Sequence, residues 1–192
     1  MTIAKHLPDA STVRSVRQRL DRPLVLVGMM GVGKSTVGRK LAAALGMAFT
    51  DADDEIVAAA NMPIRDIFDS FGEAYFRDGE RRVIARLMED AGSGSVIATG
   101  GGAFVTEETR AIILENAVAI WLNAETDTLV ERVSRNDKRP LLEGGDTREL
   151  VATMQAAREP SYAQAHIHVA SDTGPHHVAV RRIVEALDRW LP

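Results

Sequence analysis

The sequence predicts a three-layer α/β/α fold built on a five-stranded parallel sheet, and two observations support this prediction. Five short apolar runs rich in β-forming residues recur along the chain, and segments with helical periodicity separate them. This alternation is typical of parallel sheets, because each parallel crossover needs a connection that packs on a face of the sheet. With 192 residues, of which 45% are hydrophobic, the chain has enough apolar surface for one core.

The predicted elements follow from these patterns in chain order. The apolar runs predict strands at residues 24–27, 48–50, 95–98, 117–122 and 166–170. The helical periodicity predicts helices at residues 34–45, 53–60, 63–71, 72–90, 106–115, 124–134, 148–157 and 175–190. Before them, residues 1–21 form an N-terminal extension, in which the spacing of Val13, Val16 and Leu20 leaves two alternatives, a short amphipathic helix or a flexible tail.

Two segments interrupt the alternation within the single domain that we assign to residues 22–192. Residues 51–92 contain far more helix than one crossover needs, so we expect a substrate-binding subdomain beside the sheet. Residues 134–146 (SRNDKRPLLEGGD) are polar, contain Pro140 and a glycine pair, and show no sustained periodicity. We expect this second segment to be a mobile lid.

Charge and composition restrict the classes of function. The formal net charge of −4 gives no overall basic field for tracking a nucleic-acid backbone, so nucleic acid is not an expected partner. The chain has no cysteine, which fits a reducing compartment, and no apolar run of membrane-spanning length. We therefore expect a cytoplasmic protein without a membrane partner, and take a monomer as the working hypothesis.

Residues 28–36 (GMMGVGKST) match the phosphate-binding pattern G-x-x-x-x-G-K-[ST] between a predicted strand and a predicted helix. The glycines let backbone N–H groups turn toward phosphate oxygens, and the helix N-terminus adds partial positive charge. Lys34 is expected to reach the β- and γ-phosphates, and Ser35 to offer its hydroxyl to Mg²⁺. The residues that this motif assigns to ATP are Gly31, Val32, Gly33, Lys34, Ser35 and Thr36.

Four further motifs accompany this loop in a fixed order. They are the aspartates of Thr50-Asp51-Ala52-Asp53, Phe76-Arg77, Gly100-Gly101-Gly102 and Arg139-Pro140-Leu141-Leu142. With these motifs the chain resembles the shikimate kinases from about residue 22 to about residue 190. The resemblance implies a P-loop NTPase fold of the nucleoside monophosphate kinase type. It also implies Mg²⁺-dependent transfer of the ATP γ-phosphoryl group to the 3-hydroxyl of shikimate, in the pathway to chorismate and aromatic amino acids.

The resemblance also implies roles for charged residues on the acceptor side. Asp51 would hold Mg²⁺ through water, and Asp53 would orient the shikimate hydroxyl or take its proton; alternatively, Asp53 serves only as a helix cap. Arg77 and Arg158 match the arginines that bind the shikimate carboxylate, a group that guanidinium holds well in a bidentate geometry. Glu80 either orients Arg77 through an ion pair or lies on the helix surface.

The remaining implied roles concern the glycine run and two arginines. Gly100, Gly101 and Gly102 would present backbone N–H groups to shikimate opposite the γ-phosphate. Arg139, in the predicted lid, would stabilise the transferring charge while the closed lid excludes water. Arg132 matches the arginine that stacks on adenine, although a surface position is the alternative.

Two other functions compete with this interpretation. A related small-molecule kinase such as a gluconate kinase also phosphorylates a hydroxylated carboxylate, but the double-aspartate, triple-glycine and Arg-Pro-Leu-Leu motifs favour shikimate. A nucleotide-dependent switch would leave the arginines for an anionic substrate unexplained. His166 and His168 have a spacing compatible with a metal, but without an evident third ligand we expect exposed or packed histidines. His176 and His177 receive no role.

Overall fold

The structure, a computed structural model, describes residues 8–134, 146–171 and 174–192. Five strands form one sheet in the order β2-β3-β1-β4-β5, and each pairing between neighbours is parallel. The strands are β1 (Leu24–Val27), β2 (Ala48–Asp51), β3 (Ser95–Ala98), β4 (Val118–Asn123) and β5 (Ile167–Ala170). The predicted five-stranded parallel sheet is confirmed.

Helices connect and flank these strands. They are α1 (Ala10–Arg19), α2 (Lys34–Leu45), α3 (Ala52–Ala60), α4 (Ile64–Ala91), α5 (Glu107–Asn116), α6 (Thr126–Ser134), α7 (Thr147–Tyr162) and α8 (His176–Trp190). A short 3₁₀ turn, Gly92–Gly94, leads from α4 into β3. No helix in the described ranges combines the length and the apolar character that crossing a bilayer requires.

The core lies around β1 and β4, in the middle of the sheet. All four residues of Leu24–Val27 are fully buried, and the first five residues of β4 are buried too. Strands covered on both faces read as continuous apolar runs rather than alternating ones, which is why these two segments are recognisable in the sequence. The last strand, β5, alternates buried and exposed residues because it lies at the sheet edge.

Helix α1 packs against α8 and belongs to the main core. Val16 is fully buried, and Arg19 forms an ion pair with Asp188 of α8. Asp9 starts the helix by accepting hydrogen bonds from the backbone N–H groups of Ser11 and Thr12. Of the two alternatives for residues 1–21, residues 10–19 are therefore a helix; residues 1–7 lie outside the described part of the chain.

Helices α3 and α4 share a small second core, formed by Ile56, Ile67, Phe76 and Val83. The helical path of α4 breaks at Gly72, whose φ of 79° and ψ of 174° are not helical. The sequence placed a boundary between two helices at this residue, and the break confirms it. Beyond the break, α4 also contributes Ile84 and Met88 to the main core.

Helix α7 runs to Tyr162, five residues beyond the end that the periodicity predicts. Pro160 lies in its last turn, where the missing N–H costs a hydrogen bond but the chain stays helical. Tyr162 is 1% exposed, so burial of its ring favours the extra turn.

Candidate active site

The predicted phosphate-binding loop connects the end of β1 to the start of α2 and bends sharply at its glycines. At Gly28 the φ is 134°, and a Cβ there would overlap the carbonyl oxygen of Leu122 in β4. Gly33 has a φ of 97° and lies immediately before Lys34, the first residue of α2. Non-glycine residues rarely adopt this left-handed conformation, so the loop geometry requires glycine at both positions. The loop therefore ends on a helix N-terminus, which is a ready site for a phosphate anion.

Lys34 lies inside the arch of this loop rather than in solvent. Its Nζ donates hydrogen bonds to the carbonyl oxygens of Gly28, at 2.8 Å, and Met29, at 3.0 Å, and the residue is 8% exposed. These bonds hold the ammonium group over the loop, where the phosphates of a nucleotide would lie. Thr36 follows within the first turn of α2.

Arg77 and Glu80 form a partly buried ion pair on α4. Arg77 Nη1 donates to Glu80 Oε2 at 2.7 Å, and Arg77 Nη2 lies 3.2 Å from Glu73 Oε1. Glu80 is 1% exposed; burial raises the pKa of its carboxyl, and the hydrogen bond from Arg77 acts in the opposite direction. Of the two alternatives for Glu80, the ion pair with Arg77 is confirmed and the surface position is wrong.

The glycine run after β3 fits between α3 and α4. A Cβ on Gly100 would lie 2.8 Å from Asp53 Oδ1 and 3.0 Å from Glu80 Oε1, and a Cβ on Gly102 would overlap the Arg77 guanidinium. Only a residue without a side chain permits such close approach. The structure thus brings together the predicted acceptor residues Asp53, Arg77, Gly100 and Gly102.

Asp51 ends β2 and caps α3. Its Oδ1 accepts a hydrogen bond from the backbone N–H of Asp53 at 3.1 Å, and α3 begins at Ala52. The alternative in which Asp53 is the helix cap is therefore wrong, because the helix starts earlier than predicted. Asp53 itself lies in the first turn of α3.

The oxygen ligands present suit magnesium. Ser35 supplies a hydroxyl in the first turn of α2 and Asp51 a carboxylate at the end of β2, and Mg²⁺ prefers such oxygen ligands. Among the described residues, no three or more His, Cys, Asp or Glu side chains cluster as a metal site. An ion held by few protein oxygens, with phosphate and water completing its shell, is the usual arrangement for Mg²⁺ at a nucleotide.

His166, just before β5, and His168, within β5, have packing contacts. His166 Nδ1 accepts a hydrogen bond from the backbone N–H of Ala119 at 3.0 Å, and its ring lies against Trp190. The ring of His168 packs edge-on against Trp121, with the centroids 5.1 Å apart. These contacts agree with the expectation of exposed or packed histidines, since His166 is half-buried and His168 exposed.

Arg158 approaches the loop from α7, together with a tyrosine that the sequence did not single out. Arg158 Nη1 lies 4.0 Å from Sδ of Met29, and the Tyr162 hydroxyl donates to the Gly101 carbonyl oxygen at 2.5 Å. Burial raises the pKa of the Tyr162 hydroxyl, while the positive charges of Arg158 and Arg77 oppose that shift. Tyr162 follows Arg158 by four residues, which places the two on one side of the helix.

A second group of side chains meets the loop on its other side. Arg132 Nη1 and the Ser171 hydroxyl donate to the Val32 carbonyl oxygen at 3.1 Å and 3.0 Å. The His176 ring lies beside Gly33, with Cε1 3.4 Å from the position of a Cβ on that glycine. Arg132 is thus next to the loop, while its stacking on adenine stays a prediction. The lid arginine, Arg139, lies outside the described residues.

Comparison with known proteins gives one consistent family. The family model for shikimate kinase matches residues 30–188. A shikimate kinase of Novosphingobium aromaticivorans is 55% identical over 190 residues, which cover 96% of this chain and 97% of that protein. Among solved structures, shikimate kinase from Acinetobacter baumannii in complex with shikimate is 31% identical and superposes with a TM-score of 0.78, covering 89% of this chain and 93% of that one.

A gluconokinase from Sinorhizobium meliloti is a more distant match. It is 19% identical and superposes with a TM-score of 0.56 over 89% of this chain and 94% of that one. A likeness at this level of identity shows a shared fold alone.

Proposed function

The chain belongs to the shikimate kinase family, and we propose that it transfers the γ-phosphoryl group of ATP to the 3-hydroxyl of shikimate. The products are shikimate 3-phosphate and ADP. The observation that carries this proposal is the convergence of Asp53, Arg77 and the Gly100–Gly102 turn beside a phosphate-binding loop. The loop accounts for the nucleotide, and the convergent charged groups account for an acceptor that carries a hydroxyl and a carboxylate.

The shikimate carboxylate binds Arg77 and Arg158 in this proposal. Arg158 lies beside Met29 of the phosphate-binding loop and Arg77 beside Gly102, so an anion bound there would receive donors from two different helices. Glu80 holds the Arg77 side chain in place through the 2.7 Å ion pair. Less side-chain entropy is therefore lost when shikimate binds. Backbone N–H groups of the Gly100–Gly102 turn add donors toward the acceptor ring.

Asp53 orients the 3-hydroxyl and accepts its proton as the oxygen attacks the γ-phosphorus. The new O–P bond forms while the bond between the γ-phosphorus and the β,γ-bridging oxygen breaks, and ADP leaves with that oxygen. Lys34 and the N–H groups from Gly31 to Thr36 hold the phosphates during this transfer. Arg139, which lies outside the described residues, would contribute a further positive charge to the transfer.

Magnesium is the metal that this site fits. Ser35 would bind it directly through its hydroxyl, and Asp51 would hold it through water. Held by these two residues, the ion would supply positive charge that offsets the negative charge of the phosphates. Asp51 also accepts a hydrogen bond from the backbone N–H of Asp53. The proposed metal-binding residue therefore also caps α3, the helix that carries the proposed base.

The remaining expectations concern organisation and surroundings. We propose that α3 and α4, within residues 51–92, form the shikimate-binding subdomain, since Asp53 and Arg77 lie on them. A monomeric state, a cytosolic location and the lack of a nucleic-acid partner stay predictions of the sequence.

An assay of ADP release with three acceptor conditions tests the proposed function. With shikimate, wild-type protein should release ADP steadily; with gluconate, or with no acceptor, release should be near background. The reason is that the ring of shikimate fixes the distance between its carboxylate and its 3-hydroxyl, whereas the open chain of gluconate does not hold its hydroxyl at Asp53 in the same way. Equal release without an acceptor would contradict a kinase, and release with gluconate alone would contradict the substrate.

Substitution of Gly102 by alanine is expected to weaken shikimate binding selectively. The added methyl group would overlap the Arg77 guanidinium, whose Cζ lies 2.7 Å from that position. Displacing a charged donor should raise KM for shikimate about tenfold and leave KM for ATP unchanged. Gly94→Ala is the matched control, because nothing lies within 4 Å of a Cβ at Gly94. A Gly102→Ala enzyme with unaltered KM for shikimate would show that Arg77 does not bind it.

A further inference from the structure

The Gly100–Gly102 turn has no side chains that could restrict its backbone, so its peptide groups can rotate more freely than those of other residues. Hydrogen bonds within the turn use its two outer carbonyl groups. The N–H of Ala103 donates to the Gly100 oxygen at 3.3 Å, and the N–H of Val105 donates to the Gly102 oxygen at 3.0 Å. The middle carbonyl group is bound from outside the turn.

Tyr162, near the end of α7, supplies the donor for this middle carbonyl. Its hydroxyl donates to the Gly101 oxygen at 2.5 Å, and the residue is 1% exposed. Burial raises the pKa of the Tyr162 hydroxyl, so the group stays protonated at neutral pH. The hydroxyl is therefore a permanent donor at the Gly101 carbonyl.

The aromatic ring of Tyr162 is held by packing that does not involve this hydrogen bond. It stacks on the ring of Trp121, with the centroids 5.9 Å apart and the planes inclined by 26°. Both residues belong to the main core, together with Met29 of the phosphate-binding loop. A phenylalanine in place of Tyr162 would keep this packing and lose only the bond to the glycine turn.

The Gly101 carbonyl and the Gly102 N–H belong to one planar peptide group, which is trans. In a trans peptide the N–H points in the direction opposite to the carbonyl. With the carbonyl held by Tyr162, the direction of the Gly102 N–H is therefore fixed as well. Gly102 also touches the Arg77 guanidinium, whose Cζ lies 2.7 Å from the position of a Cβ on that glycine. The fixed N–H and the guanidinium are thus donors at the same place.

We propose that Tyr162 is a positioning residue for the acceptor, whose hydroxyl fixes the Gly101–Gly102 peptide group so that the Gly102 N–H faces bound shikimate. The inference rests on the proposed function, because it assumes that shikimate binds beside Arg77 and the glycine turn. Without the hydroxyl the peptide group gains freedom, and shikimate binding has to remove it at a cost in affinity. Nucleotide binding does not depend on this peptide group and should be unaffected.

Tyr162→Phe tests the proposal, because it removes the hydroxyl and keeps the ring. In calorimetric titrations it is expected to weaken shikimate binding about fivefold, the scale of one hydrogen bond between neutral groups, and to leave ADP binding unchanged. In steady-state assays KM for shikimate should rise by a similar factor and KM for ATP should not. Ser95→Ala is the matched control. The Ser95 hydroxyl donates to the Ala91 carbonyl oxygen at 2.9 Å at the other end of β3, so this variant loses the same kind of bond away from the site.

NMR relaxation of the backbone N–H groups tests the restraint itself, without any ligand. In the wild type the Gly102 N–H should be as ordered as those of the neighbouring strand β3. In Tyr162→Phe its order parameter should fall, while the N–H groups of α7 keep their wild-type values. A merely structural role of Tyr162 would loosen α7 instead.

Several results would overturn the proposal. Wild-type shikimate affinity in Tyr162→Phe would remove the positioning role, and an equal loss of affinity for shikimate and ADP would show a general structural role. If Tyr162→Phe does not fold, the wild type decides, because a mobile Gly102 N–H in the ligand-free protein would contradict the restraint. A wild-type protein that does not bind shikimate would contradict the proposed function. The order parameters at Gly102 would still show whether Tyr162 fixes the peptide group.

Discussion

Asp53→Asn is expected to lower kcat about a thousandfold, the scale of a lost general base, while ATP affinity stays close to that of the wild type. The carboxamide has almost the same shape as the carboxylate, so the fit against Gly100, where a Cβ would lie 2.8 Å from Asp53 Oδ1, should persist. What changes is that the amide accepts no proton from the shikimate hydroxyl. Coupled assays give kcat, and calorimetry gives the dissociation constant of ATP.

Asp54→Asn is the control for this experiment. Asp54 is the next residue of α3 and is exposed, so the same chemical change there should leave turnover intact. Loss of ATP binding in Asp53→Asn would place Asp53 on the nucleotide side of the site. Retained turnover would show that the hydroxyl needs no base here, which a loose transition state of phosphoryl transfer permits.

The order of the strands is the part of the fold that the sequence could not supply. Apolar runs identify the strands, because β1 and β4 are buried on both faces. Their pairing depends on contacts between segments far apart in the chain, and local patterns carry little information about these. The order β2-β3-β1 places the ends of these three strands side by side. Asp51, the Gly100–Gly102 turn and the phosphate-binding loop, which lie at these ends, are therefore neighbours.

The residues of the candidate site also fall into two groups, those that local sequence patterns reveal and those that only the fold brings together. Residues that belong to compact motifs, such as Lys34, Arg77 and Gly102, are recognisable because each motif has its own spacing in the sequence. The sequence did not single out Tyr162 or His176. Tyr162 meets Gly101, after β3, only when α7 packs there, and His176 meets Gly33, after β1, only when α8 packs there. For Tyr162 the spacing from Arg158 was an available signal, whereas nothing local distinguishes His176 from His177.

Lys34→Ala is expected to lower kcat by about a thousandfold or more, because the lost ammonium group is the charge nearest the transferring phosphoryl group in the loop. Unlike Asp53→Asn, this change should also weaken ATP and ADP binding, since the positive charge acts on the bound phosphates before and during transfer. The two variants therefore differ in ground-state affinity although both lose turnover. Coupled assays and calorimetry with ADP measure the two effects.

A change in the fold of the loop is the competing explanation for such a loss, and Lys34→Arg addresses it. Lys34 is 8% exposed and donates to the carbonyl oxygens of Gly28 and Met29, so alanine removes a donor from both. Arginine keeps the charge but is longer and planar, and the space inside the arch suits a compact ammonium. If the lysine acts at the phosphates, Lys34→Arg should lose most turnover while keeping a wild-type Tm.

Arg39→Ala provides the matched control on the same helix. Arg39 is exposed and lies 5.1 Å from the centroid of the Phe49 ring, away from the loop carbonyls that bind Lys34. Its removal should cost little turnover, whereas a general need for positive charge on α2 would make both variants equally inactive. Turnover of Lys34→Ala close to that of the wild type would mean that the ammonium only holds the arch together. In that case the N–H groups of the loop, with the metal, would have to stabilise the transferring charge without it.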